Sequence, residues 1–266
     1  MTDSDRLTVM TFNLGAGLAD PDRLVGVLRA SGADIVGLQE LAPGQAAAIE
    51  RALADVYPFR LLHPLGIAGK GLLSRLPLRD AALLELFPGR PDARATVEAP
   101  GGPLTVVVAH PPPPRLGRRW AENAAAAAQL ARLVAAATAG GPAVVLADVN
   151  RVAWQAACRR LAAAGLVDAF ASAGRGRGAT APTRLGAGAA GRLALPPFLR
   201  IDYVWHTPHF RTLAAWTGED AGSDHRPVLA RLVWMEPLGA EKDAAWCAGG
   251  VARTLHVDNA GDNQNV

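Results

Sequence analysis

A chain of 266 residues, half of them hydrophobic and 19% charged, has a globular composition and is long enough to bury a substantial core in one large domain. A net charge of +3 falls well short of a protein that coats nucleic acid, and no apolar run approaches the roughly 20 residues needed to span a bilayer. The two cysteines, Cys158 and Cys247, fit neither a zinc spacing nor a disulfide framework, so reduced thiols in a cytoplasmic protein are expected. Positive charge resides almost wholly in arginine, with Lys70 and Lys242 the only lysines. Arginine favours bidentate contact with phosphate and carboxylate, although an ordinary surface role accounts for most of them.

The polar, acidic opening at residues 1–6 does not read as a signal peptide and leads into a predicted strand over 7–14. Asp20 followed by Pro21 marks the start of a helix over 21–31, which Gly32 stops. A strand at 35–39 and a helix at 44–56 follow. Strands at 60–64, 71–74, 93–98 and 104–109 then succeed one another without helices, which predicts antiparallel pairing. An Ala-rich helix at 118–139, interrupted by Gln129 and Arg132, reads as packed and amphipathic. A strand at 143–147, a helix at 154–164, and strands at 201–206 and 228–233 complete the pattern. Residues 174–197 are rich in Gly, Ala, Arg and Pro without a period, as in a functional or mobile loop. The expected fold is α/β (α+β), with sheets inside and helices outside. Residues 1–235 form the expected domain, and 236–266 a partly disordered tail.

Polar side chains recur at or near the ends of the strand-like runs. They are Asn13 after Thr11-Phe12, Glu40 after Gln39, His110 after Val108-Ala109, Asp148 and Asn150 after Ala147, Asp202 between Ile201 and Tyr203, and Asp224-His225. Strand ends converge on a cleft in layered α/β proteins. Each residue also has a plain structural reading. Asn13 could satisfy a turn, Glu40 be an exposed charge, His110 sit in the core, and Asp148 and Asn150 cap the next helix. Asp202 resists such a reading, because a carboxylate among Ile201, Tyr203 and Val204 is costly to bury unpaired. As a set the residues have a chemical logic. Hard oxygen ligands without a cysteine cluster suit Mg2+ or Mn2+, not structural zinc. Phosphoester hydrolysis needs an activated water, neutralised phosphoryl charge and help for the leaving oxygen.

In this order, Thr11-Phe12-Asn13, Gln39-Glu40, His110, Asp148-x-Asn150, Ile201-Asp202-Tyr203 and Ser223-Asp224-His225-Arg226-Pro227-Val228 resemble the motifs of the endonuclease/exonuclease/phosphatase superfamily. That group includes pancreatic deoxyribonuclease, exonuclease-III-type apurinic endonucleases, neutral sphingomyelinases and inositol polyphosphate 5-phosphatases. The resemblance implies a four-layer sandwich, two packed mixed β-sheets flanked by helices, with the site at one edge. It also implies a divalent-metal-dependent phosphoester hydrolase, a phosphodiesterase that uses a metal- and His-activated water. Glu40 would be the principal metal ligand, with Asn13 and Asp224 close by in the metal shell. Asp202 would orient His225, Asp148 would align or deprotonate the nucleophile, and Asn150 and His110 would hold the scissile phosphate. Whether Asp148 or His225 is the base stays open. Arg226-Pro227-Val228 would start the strand that holds the Asp-His pair at the cleft.

The chain departs from the family in places. The usual Gly-Asp-Phe-Asn reads Ala147-Asp148-Val149-Asn150, a change of packing more than of chemistry. The aromatic pair of exonuclease-III-type enzymes is missing from Thr180-Ala181-Pro182-Thr183, which argues against abasic-site repair. The pattern is similar to that of poorly characterised bacterial members. Arg115, Arg118 and Arg119, after the proline run at 111–114, and Arg184 in the Gly-rich loop are candidate substrate-binding residues. Their plain reading is a helix start and a solvated loop. The substrate is expected to be a phosphoester. DNA or RNA is one candidate class, and a phospholipid or inositol phosphate another. Scarce aromatic residues argue against a base-stacking platform. An inactive binding scaffold of the same fold should lack some of Glu40, Asp148, Asn150, Asp202 and His225, and all are present. A serine hydrolase would need a Gly-x-Ser-x-Gly elbow, which the chain does not have.

Overall fold

The structure is a computed structural model that describes residues 6–87, 89–113, 135, 141–153, 155–185 and 193–235. Arg115, Arg118, Arg119, nearly all of the predicted helix at 118–139, and the tail at 236–266 lie outside the described residues. Two six-stranded mixed sheets form the centre. The first holds, in spatial order, β13 (Phe210–Thr217), β14 (Val228–Trp234), β1 (Arg6–Asn13), β2 (Ile35–Gln39), β4 (Lys70–Ser74) and β3 (Phe59–His63). The second holds β5 (Leu78–Phe87), β6 (Arg90–Ala99), β7 (Gly102–Ala109), β8 (Ala143–Asp148), β12 (Asp202–His206) and β9 (Val167–Asp168). Of the strands described, β1–β2 and β7–β8 pair in parallel; in the middle run β3–β4, β5–β6 and β6–β7 pair antiparallel, as their spacing predicts, but β4 and β5 fall in different sheets. A short antiparallel pair, β10 (Arg184–Leu185) with β11 (Leu193–Ala194), lies within the Gly-rich stretch.

Strand side chains alternate between faces, and here both faces are buried. Val9, Ile35, Val106, Leu146 and Val204 meet between the sheets. Their neighbours Met10 and Val36 turn outward under Leu24 and Leu28 of α1 (Pro21–Ala30) and Ile49 of α2 (Pro43–Ala52). On the other side, Val107, Val145 and Tyr203 turn outward under Leu161 of α3 (Ala156–Ala163). The result is helix, sheet, sheet, helix. The sheets approach so closely that a Cβ on Gly37 would lie 2.7 Å from Leu146 Cβ. Asp20 caps α1 by accepting from the N–H groups of Asp22 and Arg23, as Asp20-Pro21 predicts.

Two long strands are absent from the sequence expectation. β5 is an edge strand with exposed residues on both faces and two register shifts, so its alternation is broken. β13 is an edge strand with a shift between Thr212 and Ala214. The short α4 (Ala169–Ala173) is also unexpected. The topology nevertheless delivers the candidate catalytic and metal-binding residues to one edge. β1, β2, β7 and β8 end there, at Asn13, Glu40, His110 and Asp148, while β12 and β14 begin there, at Asp202 and just after His225.

Candidate active site

Asp148 lies at the centre of the cleft and is almost fully buried. Its Oδ2 accepts a hydrogen bond from Asn13 Nδ2 at 2.8 Å, and its Oδ1 accepts the Asn150 backbone N–H at 2.8 Å. Two histidine rings face the same Oδ2, His110 Nε2 at 3.5 Å and His225 Nε2 at 3.9 Å. The other nitrogen of His225, Nδ1, lies 2.9 Å from Asp202 Oδ2. An ionised carboxylate only accepts, so this contact puts a proton on Nδ1 and turns Nε2 toward Asp148. Glu40 Oε1 stands 3.7 Å from His110 Nε2.

The loops that carry these groups are tied across the sheets. Ser223 Oγ donates to the Asn13 carbonyl at 2.7 Å and accepts the His225 N–H at 3.1 Å. Asn13 Oδ1 accepts the Gly15 N–H at 2.9 Å. A side chain at Gly15 would collide with Asp224, since its Cβ would fall 2.7 Å from Asp224 Oδ1. Asn150 Nδ2 donates to the Pro111 carbonyl at 3.0 Å. Glu40 and Asn150 both have φ of +54°. Side-chain-bearing residues adopt this region at a cost, and such strain concentrates where function fixes a backbone.

The electrostatics divide these groups. Burial, then repulsion from Asp148 and Asp224, pushes the Glu40 carboxyl up to about 7. Burial and the nearby Asp202 likewise raise Asp148. Burial opposes charge on His225, but Asp202, Asp148 and Asp224 outweigh it and push its pKa up to about 10. His110 goes the other way, down to about 4, mainly through burial, with the cations Lys70 and Arg90 adding to the effect.

The sequence alone does not single out Lys70 and Asp92. Lys70 is fully buried, and its Nζ donates to the Ala68 carbonyl at 3.2 Å. Its strand register places it opposite Gln39, beside Glu40. Burial lowers its pKa, and Asp92 is the main opposing influence. Asp92, also fully buried, accepts the His110 backbone N–H at 3.0 Å. The one sequence hint is the rarity of lysine.

Two sets of groups could bind a metal. Asp148, Asp202 and His225 offer ligand atoms within 4.8 Å of one another. Glu40 and Asp224, with Asn13 beside them, form the second set. There, Asp224 Oδ1 is buried with no hydrogen-bond partner among the described residues, and Glu40 is crowded by like charge. Of the predicted substrate contacts, Arg184 lies 3.7 Å from Asp220.

The sequence profile of the Endonuclease/Exonuclease/phosphatase family matches residues 10–225. The chain belongs to that family and is a phosphoester hydrolase. Similar solved structures carry the same fold. An endonuclease/exonuclease/phosphatase from Beutenbergia cavernae is 23% identical, covers 86% of this chain and 72% of its own, and has a TM-score of 0.65. D. rerio TDP2 complexed with a single-strand DNA product is 17% identical, with coverages of 85% and 98% and a TM-score of 0.63. A mannosyl-6-phosphatase from Bacteroides thetaiotaomicron is 16% identical, with coverages of 86% and 100% and a TM-score of 0.64. A search of curated proteins found no match. Among the described residues, no helix is long and apolar enough to cross a membrane.

Proposed function

We propose that the protein is a divalent-metal-dependent phosphodiesterase in which His225 and Asp148 handle the attacking water. The convergence of Asp202, His225 and Asp148 carries this reading. Asp202 fixes the ring of His225, and Nε2 is left facing Asp148 Oδ2 across 3.9 Å. A water proton can pass to a base in this line, and the leaving oxygen can take a proton back. Asp148 is held by Asn13 and Asn150, so its orientation is set before substrate arrives. His110, pushed down to about 4, stays neutral and can donate a hydrogen bond to a phosphoryl oxygen without adding charge. Asn150 keeps a second amide hydrogen for the same purpose.

Mg2+ or Mn2+ fits Glu40 and Asp224 with Asn13, a set of hard oxygen donors, and when bound would neutralise charge on the phosphoryl oxygens. Two features of these residues support the fit: the unpartnered Asp224 Oδ1 and the raised Glu40. The alternative set draws on the very groups, Asp202 and His225, that form the proton-handling pair, and an imidazole suits neither ion as well as oxygen does.

Hydrolysis of bis(p-nitrophenyl) phosphate, with and without EDTA, tests the proposal. Activity that persists unchanged in EDTA would remove the metal from it. Nuclease action on DNA or RNA is the first specific activity to assay, because a fold relative was captured with single-strand DNA. Sphingomyelin, inositol phosphates and simple monoesters complete the panel.

A further inference from the structure

We infer that Arg23, Arg184 and Arg226 form an anion subsite that receives a second phosphate group of the substrate, on the α1 side of the catalytic cleft. The inference rests on the hydrolase reading above and narrows its substrate to phosphoesters bearing a further phosphate.

The three arginines come from distant parts of the chain and converge on Asp220. Arg23 Nη2 and Arg184 Nη2 each lie 3.7 Å from Asp220 Oδ1. Those are ion-pair distances, beyond hydrogen-bond range. Among the described residues, none of the three guanidinium groups makes a side-chain hydrogen bond. For Arg184 the shortfall is costly, because its Nε is buried and has no partner. Arg226 lines two hollows that meet at Asp220. One, of about 390 Å3, is shared with Arg23, and the other, of about 350 Å3, with Thr183. Asp220 is shared by Arg23 and Arg184, and Glu219 joins it on the hollow lined by Arg23 and Arg226. A planar guanidinium offers paired donors that match two phosphate oxygens.

The position ties this cluster to the reaction. Thr217, at the end of β13, pairs with Val228, which also pairs with Thr11, so the 218–220 loop emerges at the catalytic edge. Arg226 directly follows His225. The loop carrying Arg184 hangs on the backbone of Asp224, through the Thr183 N–H at 2.8 Å. A substrate phosphate seated on these arginines would lie at the same sheet edge as the scissile one.

Two p-nitrophenyl phosphodiesters test this: the p-nitrophenyl ester of thymidine 5′-phosphate, with and without a 3′-phosphate. Wild type should prefer the doubly phosphorylated ester by about tenfold or more in kcat/KM, mainly through KM, the scale of one charge-assisted contact. Arg184→Gln and Arg226→Gln should each erase most of that preference while melting like wild type. No preference in wild type, or one that survives in both variants, would overturn the subsite. Calorimetric binding of inorganic pyrophosphate in EDTA reads the subsite without catalysis. It should weaken at least tenfold in the same variants, and equal binding counts against the proposal. If pyrophosphate binds as expected but neither ester is hydrolysed with Mn2+, the hydrolase reading fails instead. Competition by a 5′-phosphorylated oligonucleotide and by an inositol bisphosphate then separates the sources. The one whose inhibition collapses in Arg226→Gln supplies the phosphate.

Discussion

The two histidines of the cleft face one carboxylate from opposite walls, and their surroundings drive them apart. His225 is backed by Asp202, and its pKa is pushed up to about 10. His110 has no hydrogen-bond partner at Nδ1 among the described residues, has the cations Lys70 and Arg90 nearby, and is pushed down to about 4. One ring is therefore charged and the other neutral across the whole neutral range. Pairs of groups separated in this way by environment mark the division of acid, base and donor roles. The acidic wall comes from β8, β12 and the loop before β14, whereas the cationic one comes from β4 and β6. Two sheets meeting at one edge thus give a cleft with opposite polarity on its two sides.

The largest expected effect lies on the acidic wall. Asp202→Asn keeps the shape of the pair but removes the charge that orients and protonates His225. Turnover of bis(p-nitrophenyl) phosphate should fall by about a thousandfold, and similarly in His225→Ala, within the range for losing a positioned acid–base group. Circular dichroism should show an intact fold. Near-normal turnover in either variant would mean that the acidic wall does not handle the proton.

The cationic wall can be broken through Lys70. Lys70→Met removes a buried charge and leaves Asp92 without its main counter-charge. Chemical denaturation should show a loss of about 3 kcal/mol, the lower end of the range for a broken buried pair. The double variant Lys70→Met/Asp92→Asn should recover part of it. Additive losses would show that the two groups do not interact.

These walls were not equally legible in the sequence. The acidic one could be read because its residues stand at the ends of apolar runs, and because Asp202 interrupts a hydrophobic strand. The cationic one could not. Lys70 precedes Gly71-Leu72-Leu73-Ser74 and looks like a solvated strand start, yet it is fully buried beside Asp92 of the other sheet. Asp92 sits in Gly89-Arg90-Pro91-Asp92, which reads as a turn but lies largely within β6. The central strands were legible because both of their faces are buried. Edge strands β5 and β13 were not, because exposure and register shifts erase the alternation. Arg226 looked like part of a strand start, and only its convergence with Arg23 and Arg184 gives it a further task.

Glu40 supplies the smallest and most specific test, because its shift depends on the crowding of the acidic wall. Its carboxyl is raised from 4.5 to about 7 by burial and by Asp148 and Asp224. In the metal-free protein, the folded state therefore holds a proton that the unfolded state releases between these values. Stability should fall as pH rises through that window, since there the folded state binds more protons. Glu40→Gln, which never ionises, should escape the fall. A cation competes with the same proton, so Mn2+ affinity measured by calorimetry should climb from pH 6 to about 7 and flatten above. In Glu40→Gln it should be about tenfold weaker at pH 8, with little slope. If wild type and variant show the same slope, the proton displaced by the metal belongs to another group, and the assignment of Glu40 as principal ligand fails.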